Sequence, residues 1–163
     1  MPGTIGKRCA SGIAYGKILA MSSLTLQHDN RAELLGAISG DVWIVACLCA
    51  AWCDVCRQFR PAFDALAARH PEHCFVWVDI EDEADIVGDF DVEDFPTLLI
   101  QRADTVVFFG TVLPDAGQAQ RLLQAQLERS IEELQAQARS TEQRRGWQLE
   151  YNLRARLAEA AGG

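Results

Sequence analysis

An unbroken apolar run, Val42-Trp43-Ile44-Val45-Ala46-Cys47-Leu48-Cys49, leads into Ala51-Trp52-Cys53-Asp54-Val55-Cys56 and then into a helical pattern. The run reads as a buried strand, so two cysteines spaced C-x-x-C are set between a strand end and a helix start. A helix N-terminus carries unsatisfied backbone N–H groups and about half a positive charge, which stabilises a cysteine there as the thiolate. Cys53 is the expected nucleophile. Cys56 lies three positions on, one turn inside the helix and more shielded, where it can attack a mixed disulfide formed on Cys53 and release the partner in reduced form. It is the expected resolving thiol.

Two cysteines at this spacing also make half of a zinc site, which needs a second pair or histidines to reach four ligands. Cys47 and Cys49 are available, but they lie in the strand, where free cysteine serves as a small core hydrophobe. The redox dithiol is preferred, and no metal is assigned. Cys49 is read as a core residue, with a third thiol modulating the pair as the alternative. Cys74, at a strand start, is read as structural. His28, His70 and His73 sit at element ends with no i,i+4 pairing and are assigned neither ligand nor base roles.

With 163 residues, 49% of them hydrophobic, the chain fits one ordinary domain plus appendages. No run approaches the roughly 18 apolar residues of a membrane span, so no membrane partner is expected. Lys17 interrupts the one stretch that would serve as the apolar part of a secretion signal. Six cysteines that include isolated Cys9 and Cys74 do not form a paired secreted framework, which points to the reducing cytoplasm. Residues 1–20 are Gly-rich and aperiodic and read as a flexible leader, with Met21 as an alternative start.

From residue 21 onward strands and helices alternate. Ser23 to Leu26 predicts a short strand, and Asn30 caps a helix reaching Ile38. Strand 42–49 is followed by a helix from Cys53 to about His70, kinked by Pro61. Cys74 to Asp79 is the next strand, and a short acidic helix covers Ala84 to Phe90. Strands Leu98 to Arg102 and Thr105 to Phe109 are joined by the tight Ala103-Asp104 turn. A helix beginning near Asp115 is expected to run well past Glu128. The order βαβαβαββα gives parallel strands through the crossovers and one antiparallel hairpin.

Over about residues 21–128 the chain resembles the thioredoxin family. The matching residues are Trp52-Cys53-x-x-Cys56, Pro61 five positions after the second cysteine, Phe95-Pro96-Thr97, and Gly110 after the last strand. The resemblance implies an α/β thioredoxin-like fold, a central mixed sheet flanked by helices. It implies that Pro96 is cis and lies against the dithiol, that Phe95 offers its backbone to a bound peptide, and that Trp52 borders the same substrate surface. No cofactor is implied. Two departures are informative. Asp54-Val55 stands where typical members have Gly-Pro, and Asp54 should oppose a thiolate on Cys53. The family's buried acid corresponds to Cys47 and its lysine partner to Trp77, which predicts slower proton transfer to and from the dithiol, or a dedicated partner.

Charge is unevenly spread: residues 21–128 hold eighteen acidic against six basic residues, and half of those acids fall between Asp79 and Asp94. Nucleic acid is excluded as a partner by repulsion of its phosphates. A steering surface for a basic partner is the functional reading, and a solvated face the plain one. Leu123, Leu127, Ile131, Leu134 and Ala138 follow one helical stripe across Glu128. Gly146 is read as a break, after which Leu149, Leu153 and Leu157 mark a second face. This C-terminal helical extension, 129–163, would fold back, pair two subunits as a homodimer, or dock on a client. The expected function is a thiol–disulfide oxidoreductase that cycles Cys53 and Cys56 against protein disulfides and is recharged by a reductase. The competing reading is a binding or assembly module with little turnover that holds a partner with its acidic surface and C-terminal helices. Alkylating the reduced protein at limiting reagent is expected to label Cys53 first. Preferential labelling of Cys56, or equal labelling of all six cysteines, would overturn that assignment.

Overall fold

The computed structural model describes residues 23–162; the expected leader and Cys9 lie outside them. A five-stranded mixed sheet has the order β1-β3-β2-β4-β5. Its strands are β1 (Leu24–Thr25), β2 (Trp43–Cys49), β3 (Cys74–Asp79), β4 (Thr97–Arg102) and β5 (Thr105–Thr111). β3 runs parallel to both β1 and β2, while β4 pairs antiparallel with β2 and with β5. Seven α-helices complete the described fold: α1 (Arg31–Ala37), α2 (Asp54–Arg69), α3 (Ala84–Val87), α4 (Ala116–Leu127), α5 (Ile131–Ala138), α6 (Glu142–Glu150) and α7 (Leu153–Gly162). No helix among the described residues is long and apolar enough to cross a membrane.

Every residue of β2 is buried. Because successive strand side chains point to opposite faces, β2 divides its residues between two cores. Ile44, Ala46 and Leu48 meet Leu34, Ile86, Trp147, Tyr151 and Leu157 on one side of the sheet. Val45, Cys47 and Cys49 meet Phe59, Phe63, Leu123 and Leu134 on the other. Helices α1, α3, α6 and α7 therefore share one core, and α2, α4 and α5 the other. Pro61 lies within α2 and does not end it. The proline lacks an N–H to donate to the preceding turn, a loss offset here by the buried face of Phe59, Phe63 and Leu66.

Several local expectations need correction. Asn30 occupies the N-cap position of α1 but makes no side-chain cap bond. Its amide instead donates to Thr25 O at 2.9 Å and accepts from Gln27 N at 2.8 Å, closing the β1–α1 loop. The helix expected to run past Glu128 stops at Leu127. A capping box restarts it: Ser130 Oγ accepts from Glu133 N at 3.1 Å and Glu133 Oε1 from Ser130 N at 2.8 Å. The continuous apolar stripe hides this break because both helices present it to the same core. Gly146 does not break a helix but sits inside α6. Glycine there costs only about 1 kcal/mol relative to alanine, which the burial of Trp147 and Tyr151 exceeds. Leu149 leaves the expected second face, being 85% exposed, while Leu153 and Leu157 are buried.

Polar side chains fasten the C-terminal helices to the sheet. Fully buried Gln101 on β4 donates to Ala103 O at 2.7 Å and to Asn152 Oδ1 at 2.8 Å, and accepts from Leu153 N at 2.9 Å. Gln148 of α6 accepts from Val106 N and donates to Val106 O, both at 2.8 Å. Arg154 of α7 donates to Gly40 O at 2.6 Å and to Ile38 O at 3.0 Å, reaching the turn before β2. Replacing Gln101 by Ala leaves the Leu153 N–H buried without its acceptor. It is expected to cost roughly 1–3 kcal/mol in chemical denaturation, whereas Leu149→Ala should stay within about 0.5 kcal/mol. Equal effects of the two changes would show that the C-terminal helices do not share the sheet's cooperative unit.

Candidate functional site

Cys53 is the N-cap of α2, with extended backbone at φ −88° and ψ 113°. Its N–H donates to Ala50 O at 3.0 Å and its carbonyl accepts from Arg57 N at 3.2 Å, the first bond of the helix. The end of β2 and the start of α2 thus fix its backbone on both sides. Its side chain is half-buried and carries a free thiol, while Cys56, one turn inside, is 1% exposed. Asp54, expected to oppose a thiolate, is ion-paired with Arg57, which also donates to Ala51 O. The pair is exposed and i,i+3, so a guanidinium lies beside the carboxylate at the helix start.

Trp52 precedes Cys53 in the chain, and its ring reaches Phe95, the residue before Pro96. Trp52 is 63% exposed; its indole N–H donates to Glu81 at 3.1 Å. Its ring packs edge-on against Phe95, with centroids 5.6 Å apart. Cys53 and Phe95 flank the same core cluster. The Phe95–Pro96 peptide is cis. The loop is pinned behind by Val112 N donating to Pro96 O at 3.0 Å and by Thr97 Oγ1 donating to Asp94 O at 2.7 Å.

The second sulfur partner was not the one expected. Cys56 is disulfide-bonded to Cys49, across a Cα–Cα distance of 5.9 Å, and Cys53 is left free. Reading Cys49 as a mere core residue is therefore corrected. Helical spacing singles out Cys53 as the partner of Cys56, but the odd-numbered face of β2 points at α2, and its last residue lies beneath the helix's first turn. Cys47 Sγ follows at 3.7 Å from Cys49 Sγ. Burial pushes the Cys47 thiol well above its ordinary range, against a weaker downward pull from Arg60.

Cys47 and Trp77 are register partners on β2 and β3. The cation near them is Arg60, a residue the sequence reading passed over. Its guanidinium lies 4.7 Å from the centroid of the Trp77 ring, donates to Thr25 Oγ1 at 3.0 Å and pairs with Asp64 at 3.2 Å. The i,i+4 spacing of Arg60 and Asp64 on α2 was the available signal. Cys74, expected from the sequence to be isolated, is buried and disulfide-bonded, which corrects the inference from unpaired cysteines to a reducing compartment.

The acidic run divides by role. Glu83, 2% exposed, and Asp85 both bind Arg31, at 2.6 and 2.7 Å. Asp79 accepts from Glu81 N and Asp82 N at 2.8 and 3.0 Å, holding a turn. Asp89 pairs with Arg156 at 3.5 Å. Asp91 and Glu93 instead line an open groove of about 490 Å³ with Thr97, Glu142, Trp147 and Glu150, one residue from Pro96. Of the four cysteines around the start of α2, Cys49 and Cys56 are joined in the disulfide, leaving Cys47 and Cys53 as thiols. Among the described residues His70, Glu72 and His73 bring their potential ligand atoms within 4.8 Å of one another. The two histidine rings, expected to be scattered, stack at 5.9 Å, and burial lowers the pKa of His73.

The family model that matches is Thioredoxin, over residues 24–119. "Putative thioredoxin 2" of Streptomyces coelicolor is 30% identical over 124 residues, 72% of this chain and 90% of that one. Two solved structures share the fold. A chain from the complex of ferredoxin:thioredoxin reductase with thioredoxin f2 superposes with TM-score 0.58 at 17% identity, covering 68% of this chain and 99% of that one. A chain from a structure of the thiol-resolving mechanism of yeast mitochondrial 1-Cys peroxiredoxin via the glutathione/thioredoxin systems gives 0.53 at 19% identity, covering 64% and 95%. With a cysteine capping the helix that follows β2, a cis Phe95–Pro96 peptide, and a family match spanning more than half its length, this chain belongs to the thioredoxin family.

Proposed function

We propose that Cys53 and Cys56 are the redox pair, with Trp52, Phe95 and Pro96 as the surface that receives the substrate. Family membership makes the chain a thiol–disulfide oxidoreductase, and the roles of these residues are our reading. The observation that carries it is the placement of Cys53: a free, half-buried cysteine at the N-cap of α2, next in the chain to exposed Trp52, with Cys56 buried one turn below. The Cys53 thiolate attacks one sulfur of a client disulfide, and the other client sulfur leaves as a thiolate that takes up a proton. Cys56 then attacks Cys53, and the first client sulfur leaves in turn. The client is reduced by two electrons and the dithiol oxidised by two, so a reductase must restore it. A complex with a ferredoxin:thioredoxin reductase is known for a thioredoxin of this fold. A reducing compartment such as the cytoplasm suits this cycle.

The groove lined by Asp91, Glu93, Glu142 and Glu150 supports a second element of the proposal, a client with a basic surface. It equally supports the module reading, in which such a client is held with little turnover. A homodimer through the C-terminal helices would have to use what they leave outside, chiefly Leu149.

Reduction of a protein disulfide and of a small uncharged disulfide by wild type and Cys53→Ser separates these readings. The oxidoreductase requires loss of both activities in the variant. Equal rates in the two proteins would remove Cys53 from the chemistry. Neutralising Asp91, Glu93 and Asp94 together is expected to slow capture of a basic client several-fold at low salt. The difference should shrink near 0.15 M, where the Debye length is about 8 Å. The small disulfide should be reduced as before; equal losses on both substrates would point to damaged packing beside Pro96 instead.

A further inference from the structure

Cys56 has two candidate sulfur partners. Cys53 caps the helix three positions before it, and Cys49, at the end of β2, is bonded to it. The Cα–Cα distance of 5.9 Å for Cys49 and Cys56 lies within the span that disulfides bridge without backbone movement. Both of these sulfurs belong to buried residues, whereas Cys53 is partly open to solvent. Below them the Cys47 sulfur sits 3.7 Å from that of Cys49. A disulfide sulfur has no hydrogen, so in this contact the Cys47 thiol is the donor.

We propose that Cys49 is a second redox partner of Cys56, and that the chain moves its disulfide inward from Cys53–Cys56 to Cys49–Cys56. The proposal rests on the reading of Cys53 and Cys56 as the redox pair. In the exchange the Cys49 sulfur attacks the Cys56 sulfur, a new S–S bond forms and the Cys53–Cys56 bond breaks. The electron pair leaves on Cys53, and the proton given up by Cys49 ends there. One thiol and one disulfide are consumed and one of each is produced, so no external oxidant or reductant takes part. The chain remains oxidised by two electrons, yet Cys53 is again a thiol. It can attack another client disulfide, but Cys56 is not available to resolve the product. The client then stays covalently attached to Cys53 until a reductant opens Cys49–Cys56. Turnover is thereby converted into holding.

The test is to oxidise the reduced full-length chain with diamide and quench it in acid. Free thiols are labelled under denaturing conditions with one alkylating reagent, and those exposed by later reduction with a second. No Lys or Arg lies between Arg31 and Arg57, so Cys47, Cys49, Cys53 and Cys56 share one tryptic peptide and fragmentation must place the labels. The expected pattern is the first label on Cys47 and Cys53 and the second on Cys49 and Cys56. The first label on Cys49, with the second on Cys53 and Cys56, would overturn the proposal. Oxidised Cys53→Ser is expected to close Cys49–Cys56; a folded variant that leaves both thiols free would also overturn it. When the oxidised proteins meet an excess of a peptide disulfide, wild type should accumulate a peptide adduct on Cys53 and Cys49→Ala should not. Equal adducts in the two would count against the proposal. Bond positions set by diamide do not depend on client turnover, so loss or retention of reductase activity in Cys53→Ser judges the redox-pair reading separately.

Discussion

The pairing of β2 between β3 and β4 is the constraint on which the remaining structure depends. Flanked by a strand on each edge and covered on each face, β2 has no route to solvent except at its ends. All of its backbone polar groups must therefore be answered within the sheet, which fixes its register and direction. The chain leaving it is delivered to one place, the start of α2, and the positions of Cys53 and Cys56 follow from that delivery.

The two faces of β2 have different consequences. The even-numbered face joins the sheet to α1, α3, α6 and α7, so the C-terminal helices complete a core rather than decorate it. The odd-numbered face carries Cys47 and Cys49 toward α2. A carboxylate at the position of Cys47 would be buried beside Trp77, with Arg60 above the indole and already engaged by Asp64. A thiol at that depth is kept neutral by desolvation, which spares the core an uncompensated charge. The same substitution removes a ready proton carrier and supplies a sulfur next to another sulfur.

Much of this was legible from residue patterns. The apolar run, the alternation of strand and helix, and the cysteines at a strand–helix junction all act through local periodicity, so β3 falls on Cys74–Asp79 as expected and α2 within a residue at each end. What local pattern could not show was which side chains meet across elements. Cys49 looks like any small core residue until β2 is laid under α2. Glu83 and Asp85 look like surface charge until Arg31, more than fifty residues earlier, is folded against them. The break at Ser130 was written as Ser-x-x-Glu, yet the apolar steps on either side carried the eye across it. Contacts between distant residues, and caps masked by a shared hydrophobic face, are where reading by periodicity fails.

The amide of Gln148 has a consequence for how this chain meets other copies of itself. β5 is an outer strand of the sheet, and such a strand offers a row of donors and acceptors to any extended segment that approaches. Gln148 occupies both polar groups of Val106 much as a neighbouring strand would, and α6 stands over the positions where further pairing would begin. Among the described residues the opposite edge is β1, only two residues long. Both margins of the sheet are thus poor templates for strand addition. Other chains can therefore approach this thiol–disulfide oxidoreductase without being retained by its sheet.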